Sequence, residues 1–283
     1  MLAPAKINLD LLITGRREDG YHLLDSLVVF TEFGDELYIE KSDSLSLDIT
    51  GPFSNGLTVN EDNLVLRAAK LIAEEAKIQP NFKFHLVKNL PVSSGIGGGS
   101  SDAAAAIKLI IELFNLEISD ERLNEIGLKL GADIPVCLLG QTSHMSGIGE
   151  KLVPFDIKDD LYLLLVNPSI SVSTPEIFKE YKIENHEFDK ERHFSKNEVH
   201  LPFILDALNN SHNSLQSAAV SKKSVIQDVI SAIDTTEGLL LSRMSGSGAT
   251  CFGIYSSEKD CHNAYELIIK EKNNWWVKST KVI

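Results

Sequence analysis

The chain has little cysteine and no concentrated positive charge. Its 283 residues include only 3 cysteines, with no C-x-x-C pair, which argues against a disulfide framework and against a zinc site. Lysine and arginine number 27 against 40 acidic residues, so the net charge is −13. Because nucleic-acid-binding proteins more often carry a basic face, and no cluster of Lys and Arg is present, we expect no nucleic-acid partner.

Long apolar runs are also missing. The densest, residues 161–166, is far shorter than the roughly 20 residues that a membrane-spanning helix needs. The first residues of the chain have no basic region followed by an apolar core, so we expect no signal peptide. These absences predict a cytoplasmic protein without a membrane partner, and the scattered cysteines fit a reducing compartment.

Glycine is concentrated in one place. Residues 91–102 have the sequence PVSSGIGGGSSD and are followed by four alanines. The pattern predicts a loop with few side chains that leads into a helix N-terminus, where unpaired N–H groups and the helix dipole favour an anion. Glycines let a ligand approach the backbone closely. We therefore expect a phosphate group, most naturally that of a nucleotide, to bind here.

Other catalytic and phosphate-binding motifs do not fit the chain. It contains no Gly-Lys dipeptide, which excludes the Walker A pattern, and neither D-F-G nor H-R-D, which excludes the protein-kinase motifs. The loop also lacks the last glycine of the dinucleotide fingerprint. Metal-dependent hydrolysis and acyl transfer lose support because no H-E-x-x-H and no G-x-S-x-G nucleophile elbow occur.

Strands and helices are predicted in a mixed order, which favours an α+β fold. The hydrophobic pattern predicts strands at 27–33 and 36–40 separated by a turn at Gly34-Asp35, a helix at 63–77, a strand at 81–88 and a helix at 101–116. Composition changes after the buried strand at 161–167. We therefore expect two domains, residues 1–154 and 155–283, with the boundary near Pro154.

Three blocks of sequence resemble the GHMP small-molecule kinases. They are the glycine loop, the N-terminal block Pro4-Ala5-Lys6-Ile7-Asn8-Leu9, and the C-terminal glycine block at 242–252. Further motifs, DGYH at 19–22, LGADIP at 130–135 and TPEIF at 174–178, resemble the members that phosphorylate the 2-hydroxyl of a cytidine diphosphate-linked methylerythritol in non-mevalonate isoprenoid synthesis. The resemblance implies a two-domain fold: an N-terminal α/β domain with a left-handed βαβ crossover and a C-terminal ferredoxin-like domain.

The resemblance also implies roles for individual residues. Asp133 would be the general base that takes the proton of the substrate hydroxyl, and Lys6 its partner, which keeps it ionised and screens developing charge. ATP would be bound by Pro91, Val92, Ser93, Ser94, Gly95, Ile96, Gly97, Gly98, Gly99, Ser100 and Ser101. The cytidine substrate would be contacted by Asn8, Tyr21, His22, Thr174 and Phe178. No cluster of carboxylates marks a metal site, so Mg²⁺ is expected to be held mainly by phosphates and water.

Several alternatives stay open at this point. Ser100 or Ser101 could contact phosphate, touch Mg²⁺ or cap the helix, and Asp102 is expected to cap the helix rather than to face phosphate through Mg²⁺. Residues 246–248 could line the phosphate site or form a tight hairpin. The chain has Ser214 after Asn213, where family members usually have Asp. A mevalonate or homoserine kinase, or a non-catalytic nucleotide or metabolite sensor, is an alternative function, and the oligomeric state could be monomer or homodimer.

Overall fold

A computed structural model describes residues 1–184 and 187–283. The strands are β1 Leu2–Asn8, β2 Leu12–Arg16, β3 His22–Lys41, β4 Ser46–Thr50, β5 Phe82–Val87, β6 Ser143–Gly147, β7 Lys151–Pro154, β8 Asp156–Ile157, β9 Tyr162–Asn167, β10 Glu198–Val199, β11 Leu239–Met244, β12 Cys251–Tyr255 and β13 Trp276–Lys281. The helices are α1 Leu64–Glu75, α2 Gly98–Phe114, α3 Asp120–Leu130, α4 Ile134–Leu139, α5 Thr174–Glu184, α6 Leu201–Asn209, α7 Gln216–Lys222, α8 Val225–Asp234 and α9 Glu258–Glu271.

The chain divides into two compact units, each assembled from several segments. The first unit contains residues 1–6, 33–92 and 97–140, and the second contains residues 7–32, 93–96 and 141–283. Strand β3 contributes residues to both. The predicted domains, 1–154 and 155–283, stay a prediction.

The first unit packs helices against a small sheet. Strand β5 pairs in parallel with β4 and antiparallel with residues 36–41 of β3. Helices α1 and α2 meet through small side chains, since Ala68 and Ala69 of α1 and Ala105 and Ala106 of α2 lie buried in one core. Helix α1 lies between β4 and β5 in the chain, which makes a βαβ connection; its left-handed sense stays a prediction.

The second unit contains a four-stranded antiparallel sheet in the order β11-β12-β9-β13. In chain order these strands are second, third, first and fourth, with helices between the first and second and between the third and fourth. This β-α-β-β-α-β arrangement is the ferredoxin-like motif, so the predicted ferredoxin-like fold is confirmed. Its core includes Leu164 and Val166 of β9 and Ile226 and Val229 of α8, and also Ile13 from β2.

The predicted turn at Gly34-Asp35 is wrong, because β3 continues through it as one strand of 20 residues. Residue 34 is glycine because a Cβ atom at this position would collide with the backbone of Ala3 and Pro4. Asp35 is buried and bonds to other residues, as described below. A glycine followed by an acidic residue commonly marks a turn, and here both residues serve packing inside a strand.

The helices begin and end near their predicted limits. Asn63 and Ser119 cap α1 and α3 with side-chain hydrogen bonds to Val65 N–H and Arg122 N–H. Helix α2 begins at Gly98, three residues before the prediction, so part of the glycine loop is helical. In the parts of the chain that the structure describes, every helix is too short or too polar to cross a membrane.

Candidate active site

Lys6 and Asp133 form an ion pair in the first unit. Lys6 Nζ lies 2.9 Å from Asp133 Oδ1, and the side chain of Lys6 is 4% exposed whereas that of Asp133 is 41% exposed. Asp133 stands directly before α4, whose first turn contains Pro135. The buried ammonium group contacts one oxygen of a half-exposed carboxylate, which leaves the second oxygen open to a ligand. The two residues predicted to act together therefore lie together.

The glycine loop approaches this pair at Gly97. Gly97 has φ +66, and a Cβ atom there would lie 2.9 Å from Lys6 Cβ, so only glycine fits the conformation and the space. It is the residue before α2, and no side chain caps that helix. The first N–H groups of the 17-residue helix are therefore left for a ligand. The phosphate cradle itself stays a prediction.

Asp102 does not cap the helix, contrary to our expectation. It is buried, and its Oδ2 accepts a hydrogen bond of 2.8 Å from Lys88 Nζ, which also pairs with the buried Asp35. Burial raises the pKa of Asp102 to about 7. One ammonium group between two carboxylates leaves one negative charge, so a proton on Asp102 neutralises the cluster. The side chain of Asp102 is thus part of a buried charge cluster with Lys88 and Asp35.

Of the two serines at the start of α2, Ser101 is turned inward. Its side chain is buried, and its Oγ donates to Cys137 Sγ at 3.5 Å. Burial raises the pKa of the Cys137 thiol to about 12, so this cysteine is an uncharged packing partner. Ser100 is only half-buried, which makes it the more accessible of the two hydroxyl groups. Neither serine caps the helix.

The other part of the loop lies in the second unit, against the C-terminal glycine block. Ser245 Oγ donates to Gly95 O at 3.0 Å, and a Cβ atom on Gly95 would collide with the backbone of Ser245 and Gly248. Gly248 N–H donates to Ser245 O in the turn between β11 and β12. The glycine block is therefore both a tight hairpin and a close neighbour of the loop, so the two readings of residues 246–248 are compatible.

Asn213 fixes this hairpin. Its Nδ2 donates to Met244 O at 2.7 Å and to Gly246 O at 2.8 Å, and its side chain is buried. The following residue, Ser214, donates from Oγ to Asp189 Oδ2 at 2.7 Å and accepts from Ile13 N–H at 3.1 Å. Residue 214 is a serine and has no carboxylate of its own. The carboxylate of Asp189 lies beside it and beside the N–H of Ile13.

The remaining loop residues are placed as follows. Ser94 and Ile96 are buried, Ser93 has φ +52, Val92 is exposed and Pro91 is buried. The backbone oxygen of Ser94 accepts from Thr250 N–H, and that of Ser93 accepts from Val172 N–H. These bonds fix the loop backbone ahead of Gly95.

The second unit also brings together two residues predicted to bind the cytosine base. The rings of His22 and Phe178 stack with centroids 5.0 Å apart, and Tyr181 meets His22 edge-on at 6.1 Å. Burial, with Arg16 and Lys182 nearby, lowers the pKa of His22 below 6.5. The ring is therefore neutral near pH 7 and offers one donor and one acceptor. Tyr21 is 60% exposed, in the hairpin between β2 and β3.

Asn8 and Thr174, the predicted polyol or diphosphate contacts, differ in their surroundings. Asn8 is 1% exposed; its Nδ2 donates to Ser26 Oγ at 2.8 Å, and its Oδ1 is buried without a hydrogen-bond partner. Thr174 is exposed at the start of α5, and its Oγ1 lies 2.7 Å from Ser247 Oγ. A buried carbonyl oxygen without a partner is unfavourable, which marks Asn8 as the better candidate for a ligand contact.

Comparison with known proteins identifies the family. A model of the GHMP kinase N-terminal domain matches residues 63–141, and a model of the GHMP kinase C-terminal domain matches residues 203–271. The chain is 43% identical over 282 residues to a 4-diphosphocytidyl-2-C-methyl-D-erythritol kinase of Chelativorans sp. (strain BNC1), covering 99% of this chain and 94% of the relative. The chain belongs to the GHMP kinase family. The same enzyme of Paramagnetospirillum magneticum is 40% identical to this GHMP kinase, over 99% of this chain and 97% of that one.

Solved structures agree with this assignment. A crystal structure of 4-(cytidine 5'-diphospho)-2C-methyl-D-erythritol kinase matches this GHMP kinase with a TM-score of 0.78 and 30% identity, covering 100% of this chain and 98% of that one. A homoserine kinase from Cytophaga hutchinsonii matches at a TM-score of 0.68 with 17% identity, over 99% and 92% of the two chains. At that identity the match shows the shared fold alone.

The sequence analysis assigned none of the contacts described above to Lys88, Asp35, Tyr181 or Asn213. A lysine at the end of a strand and an aspartate after a glycine look like surface residues in a sequence. Asn213 was noticed only as half of an altered pair. Their positions depend on tertiary contacts between segments that are far apart in the chain.

Proposed function

We propose that this GHMP kinase transfers the γ-phosphoryl group of ATP to the 2-hydroxyl of 4-diphosphocytidyl-2-C-methyl-D-erythritol, in non-mevalonate isoprenoid synthesis. The family membership and the relatives at 38–44% identity support the reaction. The structural observation that carries the proposal is the ion pair between buried Lys6 and half-exposed Asp133. A sensor that only binds a nucleotide needs no such pair.

In this proposal Asp133 accepts the proton of the attacking hydroxyl. One carboxylate oxygen of Asp133 pairs with Lys6, and the other is open to a hydroxyl donor. The ammonium group of Lys6 screens the negative charge that develops during transfer. The N–H groups at the start of α2 bind phosphate oxygens, and the side-chain-free positions Gly97 and Gly98 let the phosphates approach the backbone.

Magnesium would be bound mainly by ATP and water. In residues 1–184 and 187–283 there is no group of three His, Cys, Asp or Glu side chains that could hold a metal ion. Bound to the triphosphate, Mg²⁺ would neutralise part of the charge on the β- and γ-phosphates. Ser100, with its accessible hydroxyl, is the loop residue best suited to contact the metal or the phosphate.

The second unit supplies the recognition of the nucleoside. The neutral His22 ring offers hydrogen-bonding atoms to the base edge, and the exposed ring of Tyr21 offers a stacking surface, with Phe178 supporting His22. Asn8 Oδ1 and Thr174 Oγ1 are the proposed contacts to the polyol or diphosphate. We place the reaction in the cytoplasm, where ATP is available and cysteines remain reduced.

The substitution Asp133→Asn tests the proposed base. Removing a general base typically slows turnover by about 10²- to 10⁴-fold, so kcat should fall by that factor while the Kd for ATP stays within about twofold. A coupled assay of ADP release and equilibrium ATP binding measure the two quantities. Asp48→Asn, at an exposed aspartate paired with Lys83, is the matched control and should leave both unchanged. Near-wild-type turnover of Asp133→Asn would show that another group is the base.

A substrate panel separates the proposed function from its relatives. The cytidine diphosphate-linked substrate, mevalonate and homoserine are each supplied with ATP, and ADP release is followed. We expect turnover with the first alone, and CDP should compete with it. Turnover of mevalonate or homoserine, without competition by CDP, would place the enzyme elsewhere in the family. ATP hydrolysis with none of them would favour a sensor.

A further inference from the structure

Two buried carboxylates in the second unit are bridged by one arginine. Asp10 and Asp25 are both 0% exposed. Arg192 donates to Asp10 from Nη1 at 2.6 Å and from Nη2 at 3.1 Å, and to Asp25 from Nε at 2.8 Å and from Nη2 at 2.5 Å. Its backbone N–H donates to Asp25 as well, at 2.6 Å. Such forked contacts fix the orientation of both carboxylates.

Arg192 belongs to an irregular segment, residues 187–197, which we call the strap. The strap is anchored on both sides of Arg192. Asp189 N–H donates to Ile13 O at 2.8 Å, and the Phe194 ring packs against Phe155 with centroids 4.5 Å apart. Arg192 therefore lies between two points at which the strap contacts the rest of the second unit.

A line of hydrogen bonds leads from Arg192 to Asn8. The backbone oxygen of Asp10 accepts from Ser26 Oγ at 2.6 Å, and Ser26 Oγ accepts from Asn8 Nδ2 at 2.8 Å. Asp10 Oδ1 also accepts from Leu27 N–H at 2.8 Å, which fixes Asp10 to the strand that carries Ser26. With its nitrogen committed to Ser26, the amide of Asn8 must present Oδ1 on its other side, where that atom is buried without a partner.

We propose that Arg192 is a positioning residue for substrate binding: through Asp10 and Ser26 it fixes the amide of Asn8, whose Oδ1 accepts a hydrogen bond from a hydroxyl of the polyol. The inference rests on the proposed function, because it assigns Asn8 to the acceptor. The effect of Arg192 is limited to the polyol end of the substrate. The nucleoside is held by His22 and Tyr21, which lie outside this line of hydrogen bonds, and ATP is bound by the glycine loop.

Two variants interrupt the line at different points. Arg192→Lys keeps the charge but loses the fork, and Ser26→Ala removes the hydroxyl that orients Asn8. Each should raise KM for the full acceptor at least about tenfold, since small displacements of positioning groups have effects of this size. KM for ATP and the Kd of CDP, which lacks the polyol, should stay within about twofold. The double variant should lose little more than the larger single loss, because both changes break one line.

Arg122→Lys is the matched control. Arg122 forms a forked pair with Glu75 in the first unit, and its replacement should change none of these constants. Equal weakening of CDP and of the full acceptor would overturn the proposal, since it would indicate general support of the fold. An unchanged KM for the full acceptor in Ser26→Ala would overturn it too. This variant still tests the proposal if Arg192→Lys fails to fold. Wild-type turnover in the substrate panel separately decides the proposed function.

Discussion

At the scale of single residues, His22 gives the site a dependence on pH. Burial and the nearby Arg16 and Lys182 lower the pKa of His22 below its ordinary 6.5. The ring is thus neutral above that lowered pKa and becomes protonated only as pH falls through it. If the neutral ring recognises the base, the affinity for CDP should be constant from pH 8 to pH 6.5 and should weaken below pH 6.5. Calorimetric titration at several pH values measures this dependence.

The terminal phosphate of CDP also titrates at about pH 6, so the His22 experiment needs a reference protein. His22→Gln keeps a donor and an acceptor but has no ionisable ring. Its affinity for CDP should change with pH only as the ligand does, and the difference between the two proteins isolates His22. Parallel curves for wild type and variant would show that the protonation of His22 does not affect binding.

At the scale of secondary-structure elements, Lys88 joins strands β5 and β3 to helix α2. It neutralises part of the charge of Asp35 and Asp102, and all three side chains are buried. Lys88→Met leaves two buried carboxylates without a cation, and breaking a buried ion pair in this way typically costs about 3–5 kcal/mol. We expect the free energy of unfolding, measured with urea, to fall by that amount. Lys83→Met, at an exposed pair, should lower it far less, because solvent screens that pair.

The same cluster predicts a pH dependence of stability. Burial raises the pKa of Asp102 from 3.8 to about 7, so the folded protein binds this proton more tightly than the unfolded chain does. The contribution of Asp102 to stability therefore falls as pH rises from about 4 to about 7. Asp102→Asn should gain stability relative to wild type between pH 5 and pH 8. A difference that stays constant, or that changes in the opposite direction, would contradict a raised pKa.

Features fixed by contacts between neighbouring residues could be predicted from the sequence, whereas features fixed by contacts between distant residues could not. The helices predicted at 63–77 and 101–116 follow from local hydrophobic periodicity, and the structure has helices close to both ranges. The pair Lys6 and Asp133, 127 positions apart by their numbers, came from the family resemblance rather than from any pattern. The prediction for Asp102 was wrong because a carboxylate in a first helical turn usually serves as a cap or complements the dipole. No local signal indicated that Lys88 would compete for it.

At the scale of the whole molecule, no single point in the chain separates the two compact units, because each contains several segments. The second unit contains residues 7–32 and 93–96 as well as 141–283. Its core includes Leu11 and Ile13 beside the ferredoxin-like sheet, and its strap bonds to Asp10 and Asp25. A fragment of residues 155–283 therefore has all four strands of that sheet but lacks part of its core and the carboxylates that Arg192 needs.

We accordingly expect the isolated fragment 155–283 to be unstable, although it matches a predicted domain. Loss of Leu11 and Ile13 removes buried apolar area worth about 1.5–3 kcal/mol for each side chain, a large part of the stability of a small domain. Thermal unfolding followed by circular dichroism should show a broad transition or none, and its amide NMR spectrum should be poorly dispersed. The full chain, measured alongside, should unfold cooperatively. A sharp transition and a dispersed spectrum of the fragment would support residue 154 as a true domain boundary, because the ferredoxin-like sheet would then be stable without residues 7–32.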